Sequence, residues 1–389
     1  MDTQNTPVHI KLWHREFWML AFANLLLMMS IYSLVSIMPP FLLGHGFSGM
    51  QVGCVMGIYG LGLITLGGFC AYFVQRYRRN HVCQLAILGM VFCMALLYYL
   101  EFVQGIKMEF WMMLIVRFFL GVEMGIAEIV LGSTLVVDIC ESFQRTSANH
   151  IVSWFGRLAL ALGPLAALFT YSFVGYSYAF AFSGASALLA WLLISMVKFP
   201  FKAPAENIKV FSCDRFFLPQ GFPLFVNLLL ITTTVGIVFS QAHDWSFFAM
   251  LLAGLVLALV AERFAFADAN LKSEVITGLI MMVAAFLMLF TGQQMAVSVL
   301  SPALIGFSMG LIGSRFLLFY VKLANHCQRG TSQSSFFLAW EMGVSLGLLL
   351  GFGVLPAAQH IHFCLLLLVV SFLLYNFFVH PWYMKHKNR

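Results

Sequence analysis

Six charged side chains lie inside stretches of apolar sequence: Arg117, Glu123, Glu128, Arg157, Arg315 and Glu341. A Lys or Arg at the centre of a bilayer costs about 2.5–3.5 kcal/mol on insertion scales, so a charge kept there faces a cavity or a partner. A carboxyl group in such a place can also bind and release a proton. Arg117 and Glu128 are eleven residues apart, close to three helical turns, and so share a helix face with Gly121, while Glu123 points nearly the opposite way. Arg157 and Glu128 each lie about ten residues from the same end of their segments, hence about 15 Å deep, and could pair. Arg315 and Glu341 lie at matching depths about eight residues in, which suggests a second pair. The chemistry on offer is ion binding and proton exchange. The alternative for each group is a static ion pair holding a bundle together.

The elements that must position these groups follow from composition. Of 389 residues, 61% are hydrophobic and 9% charged, with a mean hydropathy of +0.92. A soluble domain carries about a quarter charged residues, so this chain could not cover its own core in water. Its abundance of Phe, Leu and Met excludes disorder. A membrane-crossing helix needs about 20 apolar residues, and twelve such segments are read at 17–43, 51–74, 82–102, 109–138, 148–172, 177–199, 223–242, 246–265, 274–293, 296–323, 333–355 and 361–380. The runs are continuous rather than alternating, which argues for helices over a β-barrel. The expected fold is therefore an all-α polytopic membrane protein with twelve transmembrane helices. The first span is too long for a signal core and is read as a retained anchor.

Orientation follows from Lys and Arg. With the N-terminus inside, seventeen of them fall in inside loops, among them Lys11, Arg15, Arg76, Lys202 and Arg389, and only Lys107 falls outside. This asymmetry is what the positive-inside rule demands, and it places both termini in the cytoplasm. The basic pI of about 8.9 is thus a topology signal, and no basic soluble face exists for nucleic acid. Short loops and compact length point to a bacterial inner membrane.

The longest polar stretch, 200–222, contains Pro200, Pro204, Glu206, Lys209, Asp214, Arg215 and Pro219 and divides the chain into six-helix units at 1–199 and 223–389. Gln144-Arg145-Thr146-Ser147 after the fourth span and Gln328-Arg329-Gly330-Thr331 after the tenth are 184 residues apart. The same offset pairs Arg157 with Glu341, Gly163 with Gly347 and Asp138 with Lys322, a trace of duplication. Transporters built from two such halves place substrate between them near the midplane.

Several patterns carry no function of their own. The eight Cys are scattered without a C-x-x-C and read as small core residues. His360 and His362 lack an accompanying Cys or carboxylate, so no metal site is assigned. Gly306-Phe-Ser308-Met-Gly310 matches a hydrolase pattern but lies inside an apolar span, where helix packing explains it better. Without a Walker loop there is no nucleotide partner, and transport would draw on an ion gradient or the solute's own. No cofactor is implied.

The loop Ala71-Tyr-Phe-Val-Gln75-Arg76-Tyr77-Arg78-Arg79-Asn80 resembles the loop signature of the major facilitator superfamily, with Gln75 standing for the expected Asp and both glycines absent. Arg117-x-x-x-Gly121 is similar to that family's fourth-helix motif, and Gly156 with Gly163-Pro164 to the fifth-helix motif of its antiporters. The resemblance implies two bundles that rock around a central cavity lined by the first, fourth, seventh and tenth helices. Arg117, Glu123, Glu128 and Arg315 then become candidates for binding substrate or proton, with Asn24, Tyr32, Asn227 and Thr232 offering neutral hydrogen bonds. Arg157 and Glu341 fall on gating helices. Gln75, Arg76 and Arg79 belong to the loop latch, with Arg329 at the matching place in the second half; Asp138 and Arg145 sit near the surface, at a gate or in a solvated loop. Gly163-Pro164 permits close approach and a kink, and Gly343, Gly347 and Gly351 form a G-x-x-x-G stripe. The expected function is secondary transport of a small organic solute, with proton-coupled export first and uptake of a sugar or organic acid second. A membrane-embedded enzyme acting on lipid-linked substrates is the reading from another class.

Overall fold

The computed structural model describes residues 12–141, 143–199, 208–241, 243–266, 270–291, 295–325 and 328–387. Lys11, Lys202 and Arg389 of the orientation argument lie outside these, as do Pro200, Pro204 and Glu206 of the polar stretch. Among these described residues twelve long helices follow in order: α1 (Arg15–Gly44), α2 (Gly49–Arg76), α3 (Arg79–Val103), α4 (Phe110–Val130, continued to Asp138), α5 (Arg145–Val174) and α6 (Tyr176–Ser195), then α7 (Pro219–Phe239), α8 (Trp245–Phe264), α9 (Leu271–Thr291), α10 (Met295–Leu323), α11 (Arg329–Val354) and α12 (Ala357–His386). Eleven are long and apolar enough to cross a membrane. The remaining one, α4, carries Arg117, Glu123 and Glu128. No strand occurs among the described residues. Leu85, Phe92, Trp111, Phe173, Leu257 and Phe377 stand exposed on the outer surface, the pattern of a protein solvated by lipid rather than water.

Local chemistry sets the breaks. Gly46, with φ +88, turns the chain after α1, and a Ser48/Gln51 capping box starts α2, with the Ser48 amide donating to Gln51 Oε1 at 2.9 Å. Asp244 caps α8 by accepting from the Phe247 amide at 3.3 Å. Gly175, with φ +89, is the whole connection between α5 and α6. Within α4, Leu131–Leu135 is wound as a π-helix, which shifts the register of its last turns. Several helices run past the apolar segment that marks them in the sequence. Thus α5 starts at Arg145, α11 at Arg329, and α12 continues to His386, because polar residues extend each helix into the headgroup layer.

The same packing recurs in both halves. α1 lies on α5 and α6, α2 on α4, and α3 on α4 and α6; correspondingly α7 lies on α11 and α12, α8 on α10, and α9 on α10 and α12. Glycines set the close approaches. A Cβ on Gly62 would stand 2.9 Å from Gly121 Cα, joining α2 to α4. One on Gly347 would stand 2.7 Å from Gly236 Cα and collide with the Thr233 carbonyl, joining α11 to α7. Gly163 similarly lets α5 meet α1 at Met29 and Tyr32, so the 184-residue offset pairs two glycines with one packing role. Gly306 of the hydrolase-like pattern packs against the Leu251 carbonyl of α8, a purely structural use. Gly347→Leu is therefore expected to destabilise the protein by about 1–3 kcal/mol or more, read as a lowered melting temperature and lost monodispersity in detergent. Unchanged melting would show that α7 and α11 can separate without cost.

Between the halves, α2 packs on α11, α5 on α8 and α10, and the end of α4 on α11. We call the side where α1 begins and α12 ends the termini face.

Candidate substrate and proton site

Four helices bring charge together where the halves meet. Glu341 of α11 is 2% exposed and accepts a short hydrogen bond from the Tyr32 hydroxyl of α1. That hydroxyl accepts in turn from Trp340 Nε1 at 3.1 Å. The chain of contacts thus links the first half to the second through two side chains 309 positions apart. Arg117 of α4 is 1% exposed and lies with its guanidinium carbon 4.9 Å from the centre of the Tyr59 ring of α2, a cation–π arrangement. Its Nε and Nη1 have no hydrogen-bond partner among the described residues, and neither do the Tyr59 hydroxyl and Glu128 Oε2. Arg117, Tyr59, Glu128 and Glu341 lie within electrostatic range of one another. Buried polar atoms left this way cost roughly 1–3 kcal/mol each unless water or a ligand meets them.

The two ion pairs expected from depth are not the ones formed. Arg157 does not meet Glu128; its Nη1 donates to the Gly310 carbonyl of α10 at 2.9 Å, its Nε to Ser153 O at 3.3 Å, and its plane stacks 4.0 Å from the Trp154 ring. Arg315 does not meet Glu341; it donates to Glu274 of α9, with Glu262 of α8 at 4.0 Å. The reason is azimuth. Depth along a helix sets the level of a side chain, but α5 faces α8 and α10, and α10 faces α8 and α9.

A second network closes the termini face. Glu262 accepts from Ser314 Oγ at 2.6 Å and from Trp154 Nε1 at 3.2 Å, and lies 3.3 Å from His150 Nε2. It therefore ties α5 of one half to α8 and α10 of the other. The stretch before α7 adds a strap. Ser212 N donates to Gly68 O at 2.9 Å, Arg215 Nη1 to Thr134 Oγ1 of α4 at 2.7 Å, and Arg215 N to Thr331 Oγ1 of α11 at 2.9 Å. Arg215 adopts φ +58, a left-handed conformation that is strained for a residue with a side chain. Burial, with Arg79 nearby, pulls its guanidinium below the usual range. Arg215→Ala removes the Nη1 bond to Thr134 and leaves the two backbone bonds, so it should loosen the termini face by about two- to tenfold in equilibrium, since one such bond is worth about 0.5–1.5 kcal/mol. The check is the labelling rate of Ser133→Cys by a membrane-impermeant maleimide in an otherwise cysteine-free background; an unchanged rate would show that the strap does not hold the face.

The other sequence candidates fall elsewhere. Asn24 donates to Val152 O at 3.0 Å and Asn227 to Ser371 O at 2.9 Å, each stitching helices within its own half. Thr232 donates to Leu228 O at 3.0 Å and reaches Ala339 O at 3.3 Å. Glu123 lies half-buried against Gly89 of α3, in a groove of about 700 Å3 on the flank together with Arg76 and His81. Gln75 is half-buried near the end of α2, and Arg79 bonds Asp138 at 2.5 Å, joining α3 to α4 within the first half. Arg145 and Arg329 open α5 and α11. Gly343 packs on Leu229 and Thr232, extending the α7–α11 seam. His360 and His362 each spend a ring nitrogen on a backbone carbonyl. Sequence reasoning passed over Tyr59, Trp340, Trp154, His150, Glu262 and Glu274. One signal was available for two of them: Glu262 and Glu274 stand within a turn of the ends of neighbouring apolar runs, where they resemble solvated loop residues.

The sequence model of the Major Facilitator Superfamily matches residues 20–348. No curated protein sequence matches the chain. Among solved structures, the human organic anion transporter MFSD10 is similar with a TM-score of 0.69 at 15% identity, covering 92% of this chain and 98% of that one. A bacterial homologue of the iron transporter ferroportin in its outward-facing state gives 0.65 at 14% identity, over 95% and 99%. A bacterial homologue of the human lysosomal transporter Spinster, inward-facing, gives 0.67 at 14% identity, over 96% and 98%.

Proposed function

Since the chain belongs to the Major Facilitator Superfamily and is a secondary transporter rather than an enzyme, we propose that it exports a small organic solute by alternating access in exchange for protons. In this reading the units 1–199 and 223–389 rock against each other across the inner membrane, with both termini in the cytoplasm. The observation that carries it is the Tyr32–Glu341 contact across the halves beside Arg117. The central cluster holds one guanidinium against two carboxyls, Glu128 and Glu341. Arg157 and Arg315 are engaged with other groups and do not neutralise it. An extra buried negative charge is expensive. A proton on one carboxyl brings the cluster to neutrality, and loss of that proton favours a state in which water or solute reaches it. Export rather than uptake rests on the Gly163-Pro164 pattern of α5.

A second reading has its own observation. The unpartnered Nε and Nη1 of Arg117 are donors matched to a carboxylate, which favours proton-coupled uptake of an organic acid. The experiment that separates these uses purified protein in liposomes with a pH-sensitive dye inside. An imposed proton gradient is challenged with lipophilic cations, sugars and organic acids. Discharge by a compound that moves against the proton supports exchange; discharge by an organic acid that moves with it supports the second reading. A gradient that no compound discharges would remove proton coupling from the proposal.

A further inference from the structure

A cavity of about 320 Å3 opens between the halves on the side away from the termini face. That volume is at the lower end of the range of about 300–1,000 Å3 for small-molecule pockets. Val35 and Ser36 of α1 line it, and Ser36 stands one helical turn beyond Tyr32, about 6 Å along the axis. The cavity is therefore continuous in height with the Tyr32–Glu341 contact. Both halves build it, with α1, α5 and α6 on one side and α7, α8 and α11 on the other.

Its walls are rings. Tyr171, Tyr176, Phe239, Phe248 and Phe352 converge from five helices, and Pro39 and Pro40 add flat apolar faces. Among the described residues, no Lys, Arg, Asp or Glu lines it. Apart from the Gln241 amide, most of the polar atoms present are already spent on the protein. Ser36 Oγ donates to Ser33 O at 3.0 Å, Ser240 Oγ to Ile237 O at 2.7 Å, and His243 Nε2 lies 2.7 Å from Val238 O. His243 is stacked on Phe247 at 3.7 Å, and burial pulls its imidazole below the usual range, so it is neutral at pH 7. The Tyr171 and Tyr176 rings pack against each other with their centroids 4.3 Å apart. A charged fragment entering here would lose its hydration and gain no counter-charge, which costs several kcal/mol. An aromatic fragment meets ring edges and faces on several sides.

Resting on the reading above that the solute travels between the halves, we infer that this cavity is a specificity subsite for the uncharged aromatic part of the transported solute, with any polar end directed toward Tyr32 and Glu341. The subsite selects ring-bearing solutes and rejects polyols and solutes whose ring itself carries a charge. Its chemistry differs from that of the central cluster, which handles charge.

The test measures binding without any gradient, so that it stands apart from proton coupling. Purified full-length protein is titrated with 2-naphthol, 2-naphthalenesulfonate and mannitol, and thermal unfolding is followed for each. Expected is a dose-dependent rise in melting temperature with 2-naphthol alone. Ser36→Asp, which places a carboxylate in the wall, should weaken the apparent affinity at least tenfold. Phe352→Ala, which removes one ring and leaves the α1 lining intact, should weaken it about fivefold and guards against misfolding of the first variant. Equal shifts with all three compounds, or a naphthol response unaltered in a folded Phe352→Ala protein, would overturn the inference. If naphthol binds as described and yet nothing discharges a proton gradient, the subsite stands and the coupling proposal falls. If mannitol or another polyol discharges the gradient and naphthol does not bind, the coupling stands and the subsite falls.

Discussion

Glu341→Gln leaves an imposed proton gradient intact when a solute that the wild-type protein exchanges for protons is added, while gradient-free exchange of that solute across the liposome membrane continues. The substitution keeps the shape of the side chain, and its amide oxygen still accepts from the Tyr32 hydroxyl. What it removes is the capacity to lose a proton. The cluster then holds Arg117 against a single titratable carboxyl, Glu128, and no longer needs a proton to balance it. Coupled flux is expected to fall to the protein-free background, with the melting temperature within a few degrees of wild type. Glu128→Gln is the companion measurement. If it abolishes coupling and Glu341→Gln does not, the proton is carried on α4 and the contact to Tyr32 is structural. If neither variant alters the dye response, neither carboxyl exchanges protons in the cycle.

The second large effect concerns stability. Arg315→Met strands Glu274, which is 0% exposed and already has Oε1 without a partner among the described residues. Removing one member of a buried pair costs about 3–5 kcal/mol because the other charge is left uncompensated. The melting temperature of the purified protein should drop by many degrees or the protein should fail to accumulate. The double variant Arg315→Met/Glu274→Leu should recover most of the loss, since two apolar residues of similar size replace the pair. A double variant no better than Arg315→Met alone would show that the damage lies in the contact of Arg315 with Glu262, not in an orphaned Glu274.

The sequence made the fold legible because a bilayer imposes one length and one polarity on every crossing, and these leave plain marks. It also made legible several of the residues charged at depth, and of these the structure gathers Glu341, Arg117 and Glu128 around the neutral Tyr32. Pairing was not legible. Arg157 and Glu128 share a depth, but rotation of α5 about its axis aims Arg157 at Gly310, and a single sequence contains no term for that rotation. Trp340 was invisible for a different reason. An aromatic residue in an apolar run reads as lipid-facing or core, and only its Nε1 bond to Tyr32 distinguishes it. Glycine pairs were more readable, since Gly163 and Gly347 fall at one offset and each admits the first helix of its half.

That offset also joins Arg157 to Glu341. Each sits on the fifth helix of its half and each reaches across the seam, Arg157 to α10 and Glu341 to α1. The slot is shared, but its sign is reversed. Two copies of the first half joined end to end would set a second arginine in place of Glu341, beside Arg117, with no carboxylate there to receive Tyr32. Two copies of the second half would bring a glutamate up to the Gly310 carbonyl, acceptor against acceptor. The halves have become a lock and its key: neither can be doubled to replace the other, and only the unlike pair closes.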